Sequence, residues 1–305
     1  MDVEGTEESV IYIFIRIIHL YIYNINASII NVKCNIFRIL ICVFSVIEME
    51  KEEEEEEERG NPVRVEIEEL IEAGNLRSLL YKAGELHGHL CGHLAYGVKA
   101  GYIAMRELGL KSKGMEEVIA IIETNNCFSD GVQMVTGCSF GNNALIYRDF
   151  GKTAVTVAKR DGTAIRISLN PEFEDRRKDV YPEAYKLFDK IVAKREKPTP
   201  EEHERLMQLF SELSIAELEE PADEMFITKR LEIVVPEYAP IFDSVRCSIC
   251  GENVMKSRAV AENGEYFCFP CYNQGYYQMD GSGISFEEKI LQGEAIKGGA
   301  NEDEK

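Results

Sequence analysis

A chain of 305 residues, 45% of them hydrophobic, has room for about two domains and enough apolar content to bury a real core. Its formal charge is −20, with −8 in residues 1–59 and −12 in the rest, which argues against nonspecific binding to a phosphate backbone. Four of its nine cysteines form two C-x-x-C pairs and no clear signal peptide precedes them, so metal-bound or free thiols in a reducing, cytoplasmic compartment are expected rather than disulfides.

The first 48 residues are rich in Ile, Tyr, Asn and Phe and show no sustained helical period. A membrane segment over residues 10–47 is one reading, but Arg16, His19, Lys33 and Arg38 interrupt every window of about 20 residues that a spanning helix needs. A secretory signal would begin with basic residues, and this start is acidic. Translated upstream DNA is a further reading, because these residue types have AT-rich codons; Met49 would then be the start. Cys34 and Cys42 receive no role on that account. KEEEEEEE, residues 51–58, reads as a disordered, solvated run. Residues 1–59 are therefore set apart as an extension, non-native or disordered.

From residue 60 the pattern becomes regular. Val65, Ile67, Leu70, Ile71, Leu76, Leu79 and Leu80, with Gly74 between, predict two helices or one broken helix. Leu90, Leu94, Val98, Tyr102 and Met105 predict a helix from about Cys91 to Leu108 with one buried face. Gly97, Gly101 and Ala104 lie on another side, where small residues let a second element approach closely. Residues 116–124 read as a buried strand. Ser129 or Asp130 can cap a short helix ending at Gly137. Strands follow from Leu145 onward, with Arg160-Asp161-Gly162 as a hairpin turn. Helices are expected at about 181–195 and 201–213, and another strand at 225–235. Helices at both ends of an antiparallel sheet make an α+β core over residues 60–236. Residues 236–244 read as a linker into a terminal module, 237–305, that ends in a disordered acidic tail.

That module carries Cys247, Cys250, Cys268 and Cys271, spaced C-x2-C-x17-C-x2-C. Each C-x-x-C turn supplies two soft donors from one tight loop, and Zn2+ needs four at tetrahedral corners. So short a segment builds little core, so metal binding would supply its folding energy. Structural zinc is the expectation; an iron–sulfur or rubredoxin-like iron centre and a dithiol pair are the alternatives. The order of knuckle, hairpin and helix is that of a treble-clef finger. With four protein ligands such a site is closed, and no catalysis is assigned to it.

ELHGHLCGHLAYG, Glu85 to Gly97, places three of the five histidines within seven residues. An i, i+2 spacing diverges on a helix, but in a looped lead-in His87, His89 and Cys91 can share a side. Cys91 would then stand at a helix N-terminus, where the dipole lowers a thiol pKa. Cys127 approaches another predicted helix in the same way. From the spacing, a shared metal or redox site and ordinary core packing both remain open.

HGHLCGHLAYGVKAG, followed by ETNNCFSDGVQMVTGCSFGNNAL and DFGK, resembles the FmdE family, the E component of formylmethanofuran dehydrogenase. The matching residues are His87, Gly88, His89, Cys91, Glu123, Cys127, Asp130, Gln133, Thr136, Gly137 and Cys138, within a resemblance that runs from about residue 75 to 170. The family usually has Pro-Gly after the first cysteine, where Gly92 and His93 stand here. It often has a lysine after the later cysteine, where Ser139 to Asn143 stand here. The resemblance implies a dimeric α+β core with a metal-associated cleft, holding a second transition metal, zinc among the candidates, on His87, His89, Cys91 and Cys127. It implies Glu123 and Asp130 as the cleft carboxylates, Gln133 and Thr136 as its hydrogen-bonding wall, and Cys138 among the catalytic candidates. His93 is no family position and reads as a helix-surface histidine; His203 lies in a charged helix and needs no function.

Three functions follow. The chain is an FmdE-like metal-binding protein associated with molybdenum or tungsten formylmethanofuran dehydrogenase in the one-carbon metabolism of methanogenesis. Or it is a stand-alone metal-dependent enzyme with Asp130 or Glu123 as general base. Or it is a metal-handling or regulatory module whose finger docks a partner protein. No molybdopterin or multi-cluster cysteine pattern is present, so the chain is not expected to run the redox reaction alone.

Overall fold

The computed structural model describes residues 61–288. The N-terminal extension with its acidic run, and the end of the acidic tail, lie outside the described residues. Two short helices open the described chain, α1 (Val65–Glu72) and α2 (Leu76–His87). Asn75 separates them, its side chain accepting from the Ser78 N–H at 3.0 Å. Helix α3 (Gly92–Leu108) follows, and Leu94, Val98 and Met105 of its predicted stripe are fully buried. Strand β1 (Val118–Ile122) is buried along its whole length. Helix α4 (Phe128–Thr136) ends, as the sequence indicates, at a left-handed Gly137.

Its start differs from expectation. Neither Ser129 nor Asp130 is the cap: Cys127 precedes the first turn, and the Asn126 side chain accepts from the Phe128 N–H at 2.9 Å. The Ser129 hydroxyl instead donates to the Thr124 carbonyl at 2.8 Å.

The sheet continues with β2 (Leu145–Tyr147), β3 (Ala154–Lys159), β4 (Thr163–Leu169) and, after further helices, β5 (Phe226–Glu232). Strand order is β2-β1-β3-β4-β5. Every pair is antiparallel except β1 with β2, which run parallel because α4 carries the chain back between them. The antiparallel core expected from the sequence therefore has one parallel edge.

Between β4 and β5 stand α5 (Pro171–Val180), α6 (Pro182–Phe188), a wide-turned extension at Asp189–Ala193, α7 (Pro200–Glu219) and the single turn α8 (Ala222–Met225). Helix α5 goes beyond the elements expected from the sequence. Only Phe173 and Arg177 of its ten residues are buried, so its charged sequence lacks an apolar stripe. A start signal is nonetheless present: Asn170 accepts from the Glu172 N–H, and Pro171 follows as the first helical residue. Helix α7 starts at a full capping box between Thr199 and Glu202 and runs six residues beyond the expected end.

The small residues of α3 act as expected. A methyl group on Gly97 would collide with the Phe128 carbonyl, and one on Gly131 would lie 2.5 Å from Leu94 O and Val98 N. The backbones of α3 and α4 thus touch near their N-terminal ends. Gly97→Ala should cost about 1–3 kcal/mol, since backbone cannot yield as a side chain does. Denaturant unfolding with an unchanged m-value would check it.

The terminal module is built of short paired strands. β6 (Ser244–Arg246) pairs with β7 (Asn253–Met255), and β8 (Ala259–Glu262) with β9 (Glu265–Cys268). One helical turn, α9 (Phe269–Tyr272), follows β9 directly. A further hairpin, β10 (Tyr276–Asp280) with β11 (Gly283–Glu287), adds to the knuckle, hairpin and helix expected from the sequence.

Candidate metal centres

Four thiols converge in the terminal module. Cys247 and Cys250 sit in the turn after β6, Cys268 ends β9, and Cys271 lies in α9. Their sulfurs all lie within 4.8 Å of one another. The Cys268 N–H donates to Cys247 Sγ at 3.4 Å, and Cys250 Sγ is 3.9 Å from Cys268 Sγ. Backbone N–H groups of Cys250 and Cys268 pull the Cys247 thiol down to about 6, while burial and its neighbour Cys268 push Cys271 up to about 12. Four sulfurs crowded this closely, one of them favoured as thiolate, form a donor set that could hold a metal ion and is compatible with zinc.

A second group forms where α2, α3 and α4 meet. Helix α2 ends at His87, and Gly88 reverses the chain in left-handed backbone (φ 92). Cys91 then stands at the N-cap of α3 in extended backbone. The looped lead-in expected from the glycines is present, and His87, His89 and Cys91 each offer a donor atom within 4.8 Å of the others. His87 Nε2 is 4.0 Å from Cys91 Sγ, and the two imidazole rings are 4.5 Å apart. Close packing of α3 on α4 brings Cys127 near Cys91 and His87, while the donor atoms that all lie within 4.8 Å of one another are those of His87, His89 and Cys91.

The neighbouring Cys91, with help from His87, holds the Cys127 thiol down to about 5. Cys91 is pushed up, by Cys127 beside it and by burial. The helix N-terminus was expected to lower Cys91. The His93 and Leu94 N–H groups do act in that sense, but a dipole worth about 1 kcal/mol loses to the neighbouring Cys127 and to desolvation, which together move a buried thiol further. His89 lies below its ordinary value, through partial burial and the charge of His87, and so favours the neutral form that ligates metals.

Asp130 and Gln133 belong to this group but face its outer side. Asp130 Oδ2 is 2.7 Å from His87 Nδ1, and the Gln133 amide donates to Asp130 Oδ1 at 3.0 Å. A carboxylate on the far ring nitrogen fixes the tautomer and leaves Nε2 free toward the thiols.

Glu123, Thr136 and Cys138 are placed differently. Both Glu123 oxygens accept from Arg166, at 2.7 and 2.8 Å, and this fork holds the carboxyl below its usual range. Thr136 is buried, donating to Val132 O and accepting from the Cys138 N–H. Cys138 lies beyond the C-terminus of α4, about 15 Å along that helix from Cys127. Its buried thiol donates to Val118 O at 3.4 Å and is pushed up to about 11. The structure does not bring Cys138 to the histidines. His93 packs on Tyr96 and faces Glu174 at 3.5 Å, outside the donor group. Sequence reasoning misses Arg166, although a lone arginine within the apolar strand TAIRISL signals a buried partner.

Such a molecule is a mixed α+β protein bearing two clusters of nitrogen and sulfur donors. Residues 86–227 match the family model described as FmdE, Molybdenum formylmethanofuran dehydrogenase operon. It is 40% identical over 222 residues to a probable S-adenosyl-L-methionine-binding protein of Archaeoglobus fulgidus, across 71% of this chain and 58% of that one. The chain thus spans well under two thirds of that relative's length. A tungsten formylmethanofuran dehydrogenase FmdE-like protein from Syntrophus aciditrophicus aligns with 21% identity and a TM-score of 0.42, over 65% of this chain and 91% of its own. Among the described residues no helix is long and apolar enough to cross a membrane.

Proposed function

We propose that this chain is a metal-binding protein of the FmdE type that works with molybdenum or tungsten formylmethanofuran dehydrogenase in the cytoplasm, as a homodimer. Its core, residues 60–236, holds one transition metal on His87, His89, Cys91 and Cys127. Its terminal module, residues 237–305, holds Zn2+ on Cys247, Cys250, Cys268 and Cys271 for structure. The observation that carries the reading is the convergence of His87, His89 and Cys91 within 4.8 Å, from a stretch whose backbone reverses between the two histidines. The match of residues 86–227 to the FmdE model supports the partner. A bound metal would supply charge and open coordination positions; Asp130 and Gln133 orient His87 toward it.

Elemental analysis of the purified chain should find about two metal equivalents, one for each donor group. Cys91→Ser or Cys127→Ser should lose one equivalent and keep the fold. Full metal content in both variants would remove the core site from this reading.

A second reading comes from the Archaeoglobus relative: binding of S-adenosyl-L-methionine beside the core donors. Calorimetric titration with that compound, with Cys91→Ser as the contrast, separates the two. Heat that persists in the variant would place such binding away from the core thiols. A stand-alone enzyme using Asp130 as its base is less well supported, since both carboxylate oxygens are engaged by His87 and Gln133.

A further inference from the structure

The hairpin after the last cysteine turns back onto the core. Only Asn273, Gln274 and Gly275 separate α9 from β10. Asn273 adopts left-handed backbone, and the Gln274 N–H donates to Phe269 O at 2.9 Å. The direction of the hairpin is therefore set by the helical turn that carries Cys271.

At its other end the hairpin is latched. The Asn125 amide donates to the Asp280 carbonyl at 2.6 Å, and the Ile284 N–H donates to Asp149 Oδ2 at 2.8 Å. Asp149 is itself held by the Tyr147 hydroxyl at 2.7 Å. Gly283 has φ +108 and lies so close to the Asp149 carboxylate that a Cβ would collide with it. It is the single fully buried residue of the hairpin; the sides between knot and tip are largely exposed. Asn125 stands two residues before Cys127, within about 7 Å along the backbone.

We infer that Tyr276–Glu287 is a strap, rooted in the tetracysteine knot and latched at its tip onto the loop that presents Cys127, so that order in the terminal module controls access to the core donors. The link to metal release rests on the function proposed above; the latch itself does not. A few hydrogen bonds hold the tip, so the strap opens without the core unfolding.

The test uses the full chain. Iodoacetamide labelling of Cys127, resolved by peptide mass spectrometry, reads access to the loop; zinc release to a chromogenic chelator reads the donors. Asp149→Ala and Gly283→Ala should each speed Cys127 labelling about tenfold, the scale of one or two lost hydrogen bonds. Labelling of Cys138, buried against Val118, should not change. Cys247→Ser, which loosens the root, should raise Cys127 labelling as the tip variants do. An unchanged labelling rate in both tip variants overturns the strap, whatever the metal content. Should the core release no zinc because it holds none, the metal reading falls, and the labelling rates still decide the strap.

Discussion

Replacing Cys247 with serine, or stripping metal with a chelator, should unfold residues 244–287 and leave the sheet and helices of the core intact. In this module only Cys247, Cys268 and Gly283 are fully buried. Its apolar side chains, among them Ile249, Met255, Tyr277 and Phe286, are largely exposed. Isolated two-stranded pairs are marginal in water, and a hydrophobic core is what this segment lacks. Four metal–sulfur bonds would fill that gap, at about 10–16 kcal/mol for comparable structural sites. Amide hydrogen exchange is the direct check. Protection in β8 and β9 should vanish on chelation, while protection in α3 stays. Retention of the β8–β9 pattern without metal would show that packing alone holds the module.

Glu217→Ala should destabilise the core by about 3–5 kcal/mol, the usual cost of removing one partner from a buried ion pair. Glu217 is fully buried on α7. Its Oε1 accepts from the Tyr96 hydroxyl at 2.8 Å and from Arg177 Nε at 2.7 Å. Arg177, nearly as buried, lies between the Phe173 and Tyr181 rings and also reaches Glu220 at 3.1 Å. Burial pushes the Glu217 carboxyl up, against the pull of Arg177 and Tyr96. Three helices, α3, α5 and α7, meet through this one carboxylate. Deleting it leaves the buried guanidinium with the half-buried Glu220 as its remaining counter-charge. Urea unfolding of Glu217→Ala, set against the paired change Glu217→Leu with Arg177→Met, separates the ion pair from simple packing. Recovery in the double variant is expected, because well-packed apolar replacements of buried pairs are often neutral.

This network is invisible in the sequence, and the reason is physical. Glu217 and Arg177 sit in charged helical runs whose neighbours face water, and nothing local distinguishes a buried glutamate from a solvated one. Helix α5 fails to register because it buries two residues only. By contrast, α3 is legible because Leu94, Val98 and Met105 recur at helical spacing, and its contact with α4 because small residues mark close approach. The strands show through β-branched alternation and the Arg160-Asp161-Gly162 turn. The parallel β1–β2 edge cannot be read, since strand direction depends on where α4 returns the chain.

In the donor group, local order is readable and long-range convergence is not. His87, His89 and Cys91 lie within five residues, and two glycines tell that they need not be helical. That Glu123 is engaged by Arg166, and Cys138 left at the far end of α4, depends on contacts across more than 40 residues in the first case and on helix length in the second. The family resemblance supplies Cys127 and Asp130, and geometry gives Asp130 its place behind His87.

Gly88 has nothing within 4 Å of where a side chain would project, yet its backbone turns with φ 92. The constraint at this position is one of handedness and not of bulk. Any L-residue, however small, resists that turn, and in relaxing it would swing the two imidazoles apart. The spacing of the pair is thus written in chirality, and a mirror-image alanine placed there by chemical synthesis would keep it.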